Sequence, residues 1–151
     1  MKTEETIIKN IHDNKLWGLE FKFDARSLDP FMLVMDIDYI IDSTDNEDNN
    51  KFIFQVCPAY LLFHEVSSFT IHIDSGQEEE NTFNSDCLYI YHIQCQKINE
   101  KKSFFQVVFC NDIGEISFYA KNTTIEYNEK DIVMVEGNFA IPLKIREKIR
   151  P

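Results

Sequence analysis

Two aspartates stand two residues apart in an otherwise apolar stretch, at a spacing that could support chemistry. Asp36 and Asp38 lie inside the run Leu33–Ile41. Alternate residues of a β-strand point to the same face, about 7 Å apart along the chain. Two such carboxylates could bind a divalent cation, or act as an acid/base pair in which one pKa is raised. They could equally hydrogen-bond to neighbouring strands, or face water on a solvated sheet surface. We therefore predict Asp36 and Asp38 as the binding-site residues and leave open whether their role is functional or structural.

Other groups of chemically versatile side chains lack the spacing that metal or catalytic sites need. His72 and Asp74 repeat the two-residue spacing, and the polar stretch Asp42–Asn50 resembles a calcium loop only in composition. That stretch has neither the glycine nor the terminal glutamate of an EF-hand loop, and no cysteines have the paired spacing of zinc sites. No serine stands in a glycine-flanked elbow, and the four glycines form no phosphate-binding loop. The sequence thus predicts no catalytic residue, no metal and no cofactor, and it favours a protein that is not an enzyme.

The chain is strongly acidic, with 26 Asp and Glu against 15 Lys and Arg and a formal net charge of −11. This charge opposes phosphate backbones, whose binding needs clustered Lys and Arg, so we predict no nucleic-acid partner. The last nine residues, 143–151, instead carry a net charge of +3. We expect this basic tail to rest on the acidic body as a surface helix or loop, and a partner-binding arm is the alternative.

The expected location is the cytoplasm. The chain carries Glu4 and Glu5 where a secretory signal would carry basic side chains, and no apolar run is long enough to cross a bilayer. The four cysteines are widely spaced, and three of them stand in runs of strand composition. We therefore expect reduced core thiols and no membrane partner.

Alternation of apolar and polar residues divides most of the chain into strands. The runs are Leu16–Phe23, Phe31–Ile41, Lys51–Phe63, Phe69–Ile73, Leu88–Ile98, Phe104–Cys110 and Glu115–Ala120. Weaker patterns at Thr124–Tyr127 and Ile132–Val135 could add short strands. Exposed polar connections are expected at Asp42–Asn50 and Gly76–Asn84. Pro58 interrupts one run, and because proline cannot donate to a ladder we expect an edge, a bulge or a bend there.

These elements define the expected fold class. The segment Thr3–His12 has acids in its first turn and isoleucines on one face, which predicts a short N-terminal helix. The connections between the strand runs are too short for the crossovers of a parallel sheet. We predict one all-β, mainly antiparallel domain over residues 1–151. Its seven or eight strands would form a sandwich, an open barrel or a strongly bent sheet.

Two stretches, Leu33–Ile41 and Phe54–Val66, resemble a family of small uncharacterised bacterial proteins. The family pattern is a leucine-rich strand ending in Asp-Ile-Asp-Tyr-Ile, then Val-Ala-Pro-Ala and an apolar strand. Cys57 replaces the first of those alanines here, and the hairpin Phe104–Ala120 is similar in outline. The resemblance implies a bacterial, cytoplasmic origin and makes the Asp36 and Asp38 pair a family feature. It implies no activity, cofactor or partner.

The acidic charge, the aromatic strands and the lack of a catalytic motif favour a non-enzymatic binding protein with an acidic surface. A basic protein is the expected partner, for example a cationic toxin that the chain neutralises. One alternative is a small metal-dependent hydrolase working through Asp36, Asp38 and a histidine such as His72. Another is a lipocalin-like carrier of a small apolar ligand. The sequence does not predict the oligomeric state.

Overall fold

A computed structural model describes residues 3–46, 51–73, 88–137 and 140–149. Within them the chain is mostly antiparallel β-structure with two short helices, which confirms the predicted fold class. The elements are α1 (Glu4–Asn10), β1 (Asn14–Phe23), β2 (Phe31–Asn46), β3 (Lys51–His64), β4 (Ser67–Ile73), β5 (Tyr89–Asn99), β6 (Lys102–Phe109), β7 (Gly114–Ala120), β8 (Asn122–Tyr127), β9 (Val133–Glu136) and α2 (Leu143–Arg146). The polar segment predicted at Gly76–Asn84 lies outside the described residues, as does Asp74.

The nine strands form one sheet that is bent upon itself. Their order is β4-β7-β6-β5-β1-β2-β3-β8, and β9 also pairs with β3. Although β3 is distant from β6 and β7 in that order, the ring of Phe63 lies 5.1 Å from Phe105 and 4.7 Å from Phe118. The two halves of the sheet therefore face each other, and aromatic side chains fill the space between them. Of the predicted alternatives, this is the strongly bent sheet.

Strand β2 follows the period of two that its sequence predicts. The side chains of Leu33, Met35, Ile37 and Tyr39 are fully buried in the main core. The alternate residues point to the other face of the sheet, where Asp36 and Asp38 lie. The core therefore fixes the orientation of both aspartates.

The polar stretch Asp42–Asn50 is partly strand, which corrects the prediction that all of it is an exposed connection. Strand β2 continues to Asn46, and its last five residues pair with Lys51–Gln55 of β3. A register shift between Ile40 and Asp42 marks a bulge where the apolar pattern ends. Composition missed this extension because backbone pairing with β3 maintains the strand although the side chains of Asp42, Ser43 and Thr44 are exposed.

Pro58 occupies a gap in the ladder rather than a sheet edge. On the side of β3 away from β2, Ile53–Val56 pairs with β9 and Ala59–His64 pairs with β8. Neither β8 nor β9 therefore needs a backbone N–H from residue 58. The chain between β8 and β9 crosses this gap, where the thiol of Cys57 donates to the carbonyl of Asn128 at 3.2 Å. The missing N–H of proline thus falls where β3 changes partner.

The predicted N-terminal helix is α1, and its capping explains where it begins. Thr3 is the N-cap, with its hydroxyl accepting from the backbone N–H of Thr6 at 3.3 Å. Ile7 and Ile8 pack into the main core. Neither α1 nor α2, the two helices of the described chain, is long and apolar enough to cross a membrane.

The described cysteines form no disulfide. Burial raises the pKa of the Cys57 thiol to about 11. Cys95, however, is exposed and Cys110 is half-buried, so the expectation of core thiols is wrong for Cys95. The strand pattern around Cys95 gave no indication of which face of β5 is covered.

Candidate functional site

The structure places Asp36 and Asp38 side by side on the face of β2 that points away from the main core. Asp38 has no exposed surface, whereas the side chain of Asp36 is 30% exposed. A fully buried carboxylate is stable only when other groups replace the water that would solvate it. The question at this site is therefore which groups surround Asp38.

The C-terminal segment, residues 140–149, covers this face of the sheet. Its Ile141 is 1% exposed and packs with Val56 of β3 and Val135 of β9 in a second, smaller apolar cluster. Helix α2 follows directly, with Pro142 at its N-cap. Part of the predicted basic tail thus lies against the domain, where Ile149 packs against the same apolar cluster.

Arg146 of α2 joins both aspartates. Its Nε donates to Oδ1 of Asp38 at 3.0 Å, and its Nη2 donates to Oδ1 of Asp36. The second oxygen of Asp38, Oδ2, accepts from the backbone N–H of Ile141 at 2.9 Å, and Nη1 of Arg146 donates to the carbonyl of Ile149 at 3.2 Å. Arg146 is itself only 5% exposed, so Asp38 and Arg146 form a buried, charge-assisted network.

Strand β1 contacts this network from the other side. The side-chain amide of Asn14 donates to the backbone carbonyl of Asp38 at 2.9 Å. The guanidinium of Arg146 lies 5.7 Å from the ring of Trp17, and the ammonium of Lys15 lies 4.0 Å from the same ring. Three segments that are distant in the sequence therefore meet around one arginine.

Desolvation dominates the electrostatics of Asp38. Burial raises the pKa of its carboxyl group above the usual value. The indole N–H of Trp17, the N–H of Ile141 and the Arg146 guanidinium oppose that effect and lower the pKa. Among the described residues the Trp17 N–H finds no hydrogen-bond acceptor of good geometry, so its influence is that of a nearby dipole. Both oxygens of Asp38 are already engaged by N–H donors, so this carboxylate is satisfied within the chain.

The histidine of the alternative hydrolase does not join this site. His72 lies on β4, five strands away from β2 in the sheet order. Nowhere in the described chain do three or more His, Cys, Asp or Glu side chains gather as a metal site would need. His12 and Asp13, which are adjacent in the sequence, do meet, with Nδ1 and Oδ2 2.7 Å apart. His64 contacts Asp29 rather than its sequence neighbour Glu65.

A second acidic region lies along one border of the sheet, and we call residues 122–136 the acidic edge. It consists of β8, the 3-10 turn Glu129–Asp131 and β9, which together run beside β3. Glu126, Glu129 and Glu136 are exposed, and Asp131 is half-buried. Lys130 is the only basic residue of this stretch. Within the described residues, these four acids form no ion pair.

Sequence reasoning detected the total charge but not this location. The signal was present, because four acids against one lysine fall within Glu126–Glu136. What composition lacked was the alignment of β8 and β9 on the same side of β3. Arg146 was likewise noted only as one charge of the tail, although it proves to be the partner of both aspartates. Comparisons of the chain with protein-family models, curated proteins and solved structures found no match.

Proposed function

We propose that this protein acts in the cytoplasm by binding a basic protein partner through its acidic edge. The observation that carries the proposal is the contrast in pairing: the carboxylates of Glu126, Glu129 and Glu136 are exposed without an ion-pair partner in the described chain, whereas Asp36 and Asp38 hold Arg146. Exposed like charges repel one another and attract an oppositely charged surface. Such a surface speeds association with a basic partner, and it repels acidic proteins.

The outer backbone of the acidic edge adds a second means of recognition. Strands β8 and β9 each pair with β3, and in the described chain neither has a strand on its other side, although helix α1 packs beside β8. Unpaired N–H and C=O groups of an edge strand can hydrogen-bond to an extended segment of a partner. A basic partner that contributes such a segment would receive both charge attraction and backbone pairing. Neutralisation of a cationic toxin is one form of this function.

The geometry gives less support to the alternatives. A hydrolase built on Asp36, Asp38 and His72 needs those side chains together, and His72 lies on β4, five strands from the two aspartates of β2 in the sheet order. A lipocalin-like carrier needs a hollow interior, whereas the space around Phe63 is filled by aromatic rings. We therefore propose binding rather than metal-dependent hydrolysis or ligand transport.

The test is affinity capture from the lysate of the cells that naturally make the chain, with bound proteins identified by mass spectrometry. The edge variant carries Glu126→Gln and Glu136→Gln. The control variant carries Glu20→Gln and Asp112→Asn, which change the net charge equally on β1 and on the turn before β7. We expect wild type and control to retain the same basic protein at low salt and release it at high salt.

The edge variant should retain at least tenfold less of that protein. Equal retention by the edge and control variants would show that only net charge matters, which contradicts the proposal. Capture that is indifferent to salt would contradict it as well, because exposed charge attraction is screened within about 10 Å at 0.1 M ionic strength.

A further inference from the structure

Three side chains from separate segments form a hydrogen-bonded chain at the end of β3. His64 is the last residue of β3, Asp29 lies in the loop between β1 and β2, and Thr124 lies on β8. Nδ1 of His64 is 2.7 Å from Oδ2 of Asp29, and Nε2 of His64 is 2.8 Å from the hydroxyl oxygen of Thr124. With its ring proton on Nδ1, the imidazole donates to the carboxylate and accepts from the hydroxyl.

This is the order of groups that activates a hydroxyl nucleophile: a carboxylate orients an imidazole, and the imidazole holds the hydroxyl proton. Both distances lie within the range expected of such a relay. The sequence could not disclose it, because 35 residues separate Asp29 from His64 and 60 separate His64 from Thr124. Triads are defined by geometry and not by sequence spacing.

The surrounding backbone holds the relay in place. The other oxygen of Asp29, Oδ1, accepts from the N–H of Glu65 at 2.6 Å, and the carbonyl of His64 accepts from the N–H of Lys121 at 2.8 Å. Glu65 adopts a φ of 51°, a left-handed conformation that is uncommon for a residue other than glycine. The turn after β3 is thus shaped so that Asp29 bonds to both the imidazole and the following backbone.

The relay opens to solvent rather than into the core. An open cleft of about 370 Å³ is lined by Asp29, His64 and Thr124 together with Leu28, Glu65, Lys121 and Asn122. The side chains of His64 and Asp29 are 24% and 26% exposed. A small acyl group therefore has access to the Thr124 hydroxyl, with Leu28 as an apolar contact and the Asn122 amide as a potential donor to a developing oxyanion.

We infer that Thr124 is a nucleophilic hydroxyl that accepts acyl groups from activated esters, with His64 as its general base and Asp29 as a positioning residue. In the first step the Thr124 oxygen bonds to the acyl carbon while its proton moves to Nε2 of His64. The tetrahedral intermediate then expels the alcohol or phenol of the ester, which leaves with the ester oxygen and recovers a proton from His64 or from water. Attack of water on the resulting ester of Thr124 releases the acid and restores the hydroxyl.

The experiment uses p-nitrophenyl acetate as the acyl donor and the full chain as the protein. Peptide mass spectrometry after timed exposure should find one acetyl group on Thr124. Thr123 serves as an internal control in the same peptide, because it is buried and donates its hydroxyl to the carbonyl of Leu62 at 2.9 Å. The acetyl group should be absent in Thr124→Val and present in Thr124→Ser.

Substitutions of the relay separate base catalysis from mere exposure of the hydroxyl. A general base contributes about 100-fold or more, so His64→Ala should slow acetylation of Thr124 by that factor, and added imidazole should restore part of the rate. Asp29→Asn should also slow it, because the amide no longer fixes the ring proton of His64 on Nδ1, and Asp29→Glu should recover the rate. A purely structural role for either residue would not respond to imidazole or to restoration of the carboxylate.

Thermal unfolding of each variant identifies any that fail to fold, and His64→Gln replaces His64→Ala in that case. The inference is overturned if acetylation is confined to lysines and the N-terminus, or if Thr124 is acetylated equally fast without the imidazole of His64. A loss of acetylation that imidazole does not restore in a folded His64→Ala protein would also overturn the role of His64.

Discussion

The two acidic regions of this protein have similar side chains and opposite arrangements. On β2, Asp36 and Asp38 face the protein's own C-terminal segment, and Arg146 joins them. Along the acidic edge, Glu126 and Glu136 face solvent, and within the described chain neither forms an ion pair. A carboxylate that the fold has already paired contributes to stability, whereas an unpaired one remains available to a partner. Charge counted from composition cannot separate these roles.

The comparison also explains why a short basic segment can remain attached to the sheet. Arg146 alone would gain little from a surface ion pair. Here Ile141 is buried in the second apolar cluster and its N–H binds Asp38, so apolar burial and the ion pair reinforce each other. We therefore expect substitutions at Arg146 to act on the whole C-terminal segment.

The largest loss of stability should come from removing the guanidinium of Arg146. Arg146→Met keeps an apolar stem of similar length but leaves Asp38 buried without its partner. Breaking a buried pair in this way costs about 3–5 kcal/mol, so the free energy of unfolding at pH 7 should fall by that amount in urea denaturation. The matched control is Lys144→Met on the same helix. Lys144 is exposed, and its change should stay within about 0.5 kcal/mol. Equal losses of stability in Arg146→Met and Lys144→Met would show that the pairing with Asp38 does not stabilise the fold.

The cost of Arg146→Met should shrink as the pH is lowered. Burial already raises the pKa of Asp38, and Arg146 is one of the groups that lower it, so the substitution should raise the pKa further. The native variant then binds a proton more tightly than native wild type, and acid stabilises it relative to wild type. Urea denaturation of both proteins between pH 7 and pH 4 checks this sign. A difference that grows toward acid pH would contradict the account.

Asp38 should contribute more than Asp36 to the stability of the fold. Asp38→Asn places an amide against donors that now bond to carboxylate oxygens, and an unsatisfied buried donor costs about 1–3 kcal/mol. Asp36 is partly exposed and water can replace its contact, so Asp36→Asn should cost less than Asp38→Asn. Denaturation of the two single variants tests this order, and a larger loss at Asp36 would reverse it.

The smallest effect on stability is expected at the acidic edge. Glu126→Gln and Glu136→Gln remove charges that pair with nothing in the described chain, so the free energy of unfolding should change by no more than about 0.5 kcal/mol. The same variants should lose partner capture. A destabilisation of several kcal/mol would mean that these glutamates are structural, like the aspartates of β2.

The sequence predicted the fold class because its strands carry a clear period of two. Phe31–Ile41 forms most of β2 with its apolar residues alternating on one face, and the hairpin at Phe104–Ala120 is β6 and β7. It could not predict the strand order, because pairing between β1 and β5 rests on Asn14 and Lys15, which have no distinctive pattern. Nor could it predict which apolar side chains are covered: Phe23 is 62% exposed although it continues the aromatic face of β1.

The candidate site was only half predictable. The apolar surroundings of Asp36 and Asp38 marked them as unusual in the sequence. Their partner was not identifiable, because Arg146 is 108 residues beyond Asp38 and is one of several basic residues in the tail. Contacts over such separations depend on how the sheet bends, and that bend is fixed by the core as a whole.

The most direct test of the central claim is a double-mutant cycle between Asp38 and Arg146. Urea denaturation of wild type, Asp38→Asn, Arg146→Met and the double variant at pH 7 gives the coupling free energy of the two side chains. If the buried pair holds the C-terminal segment on β2, the double variant should lose less stability than the two single losses combined, by about 0.5–3 kcal/mol. Losses that add within about 0.3–0.5 kcal/mol would show that the two side chains act independently, and would contradict the account.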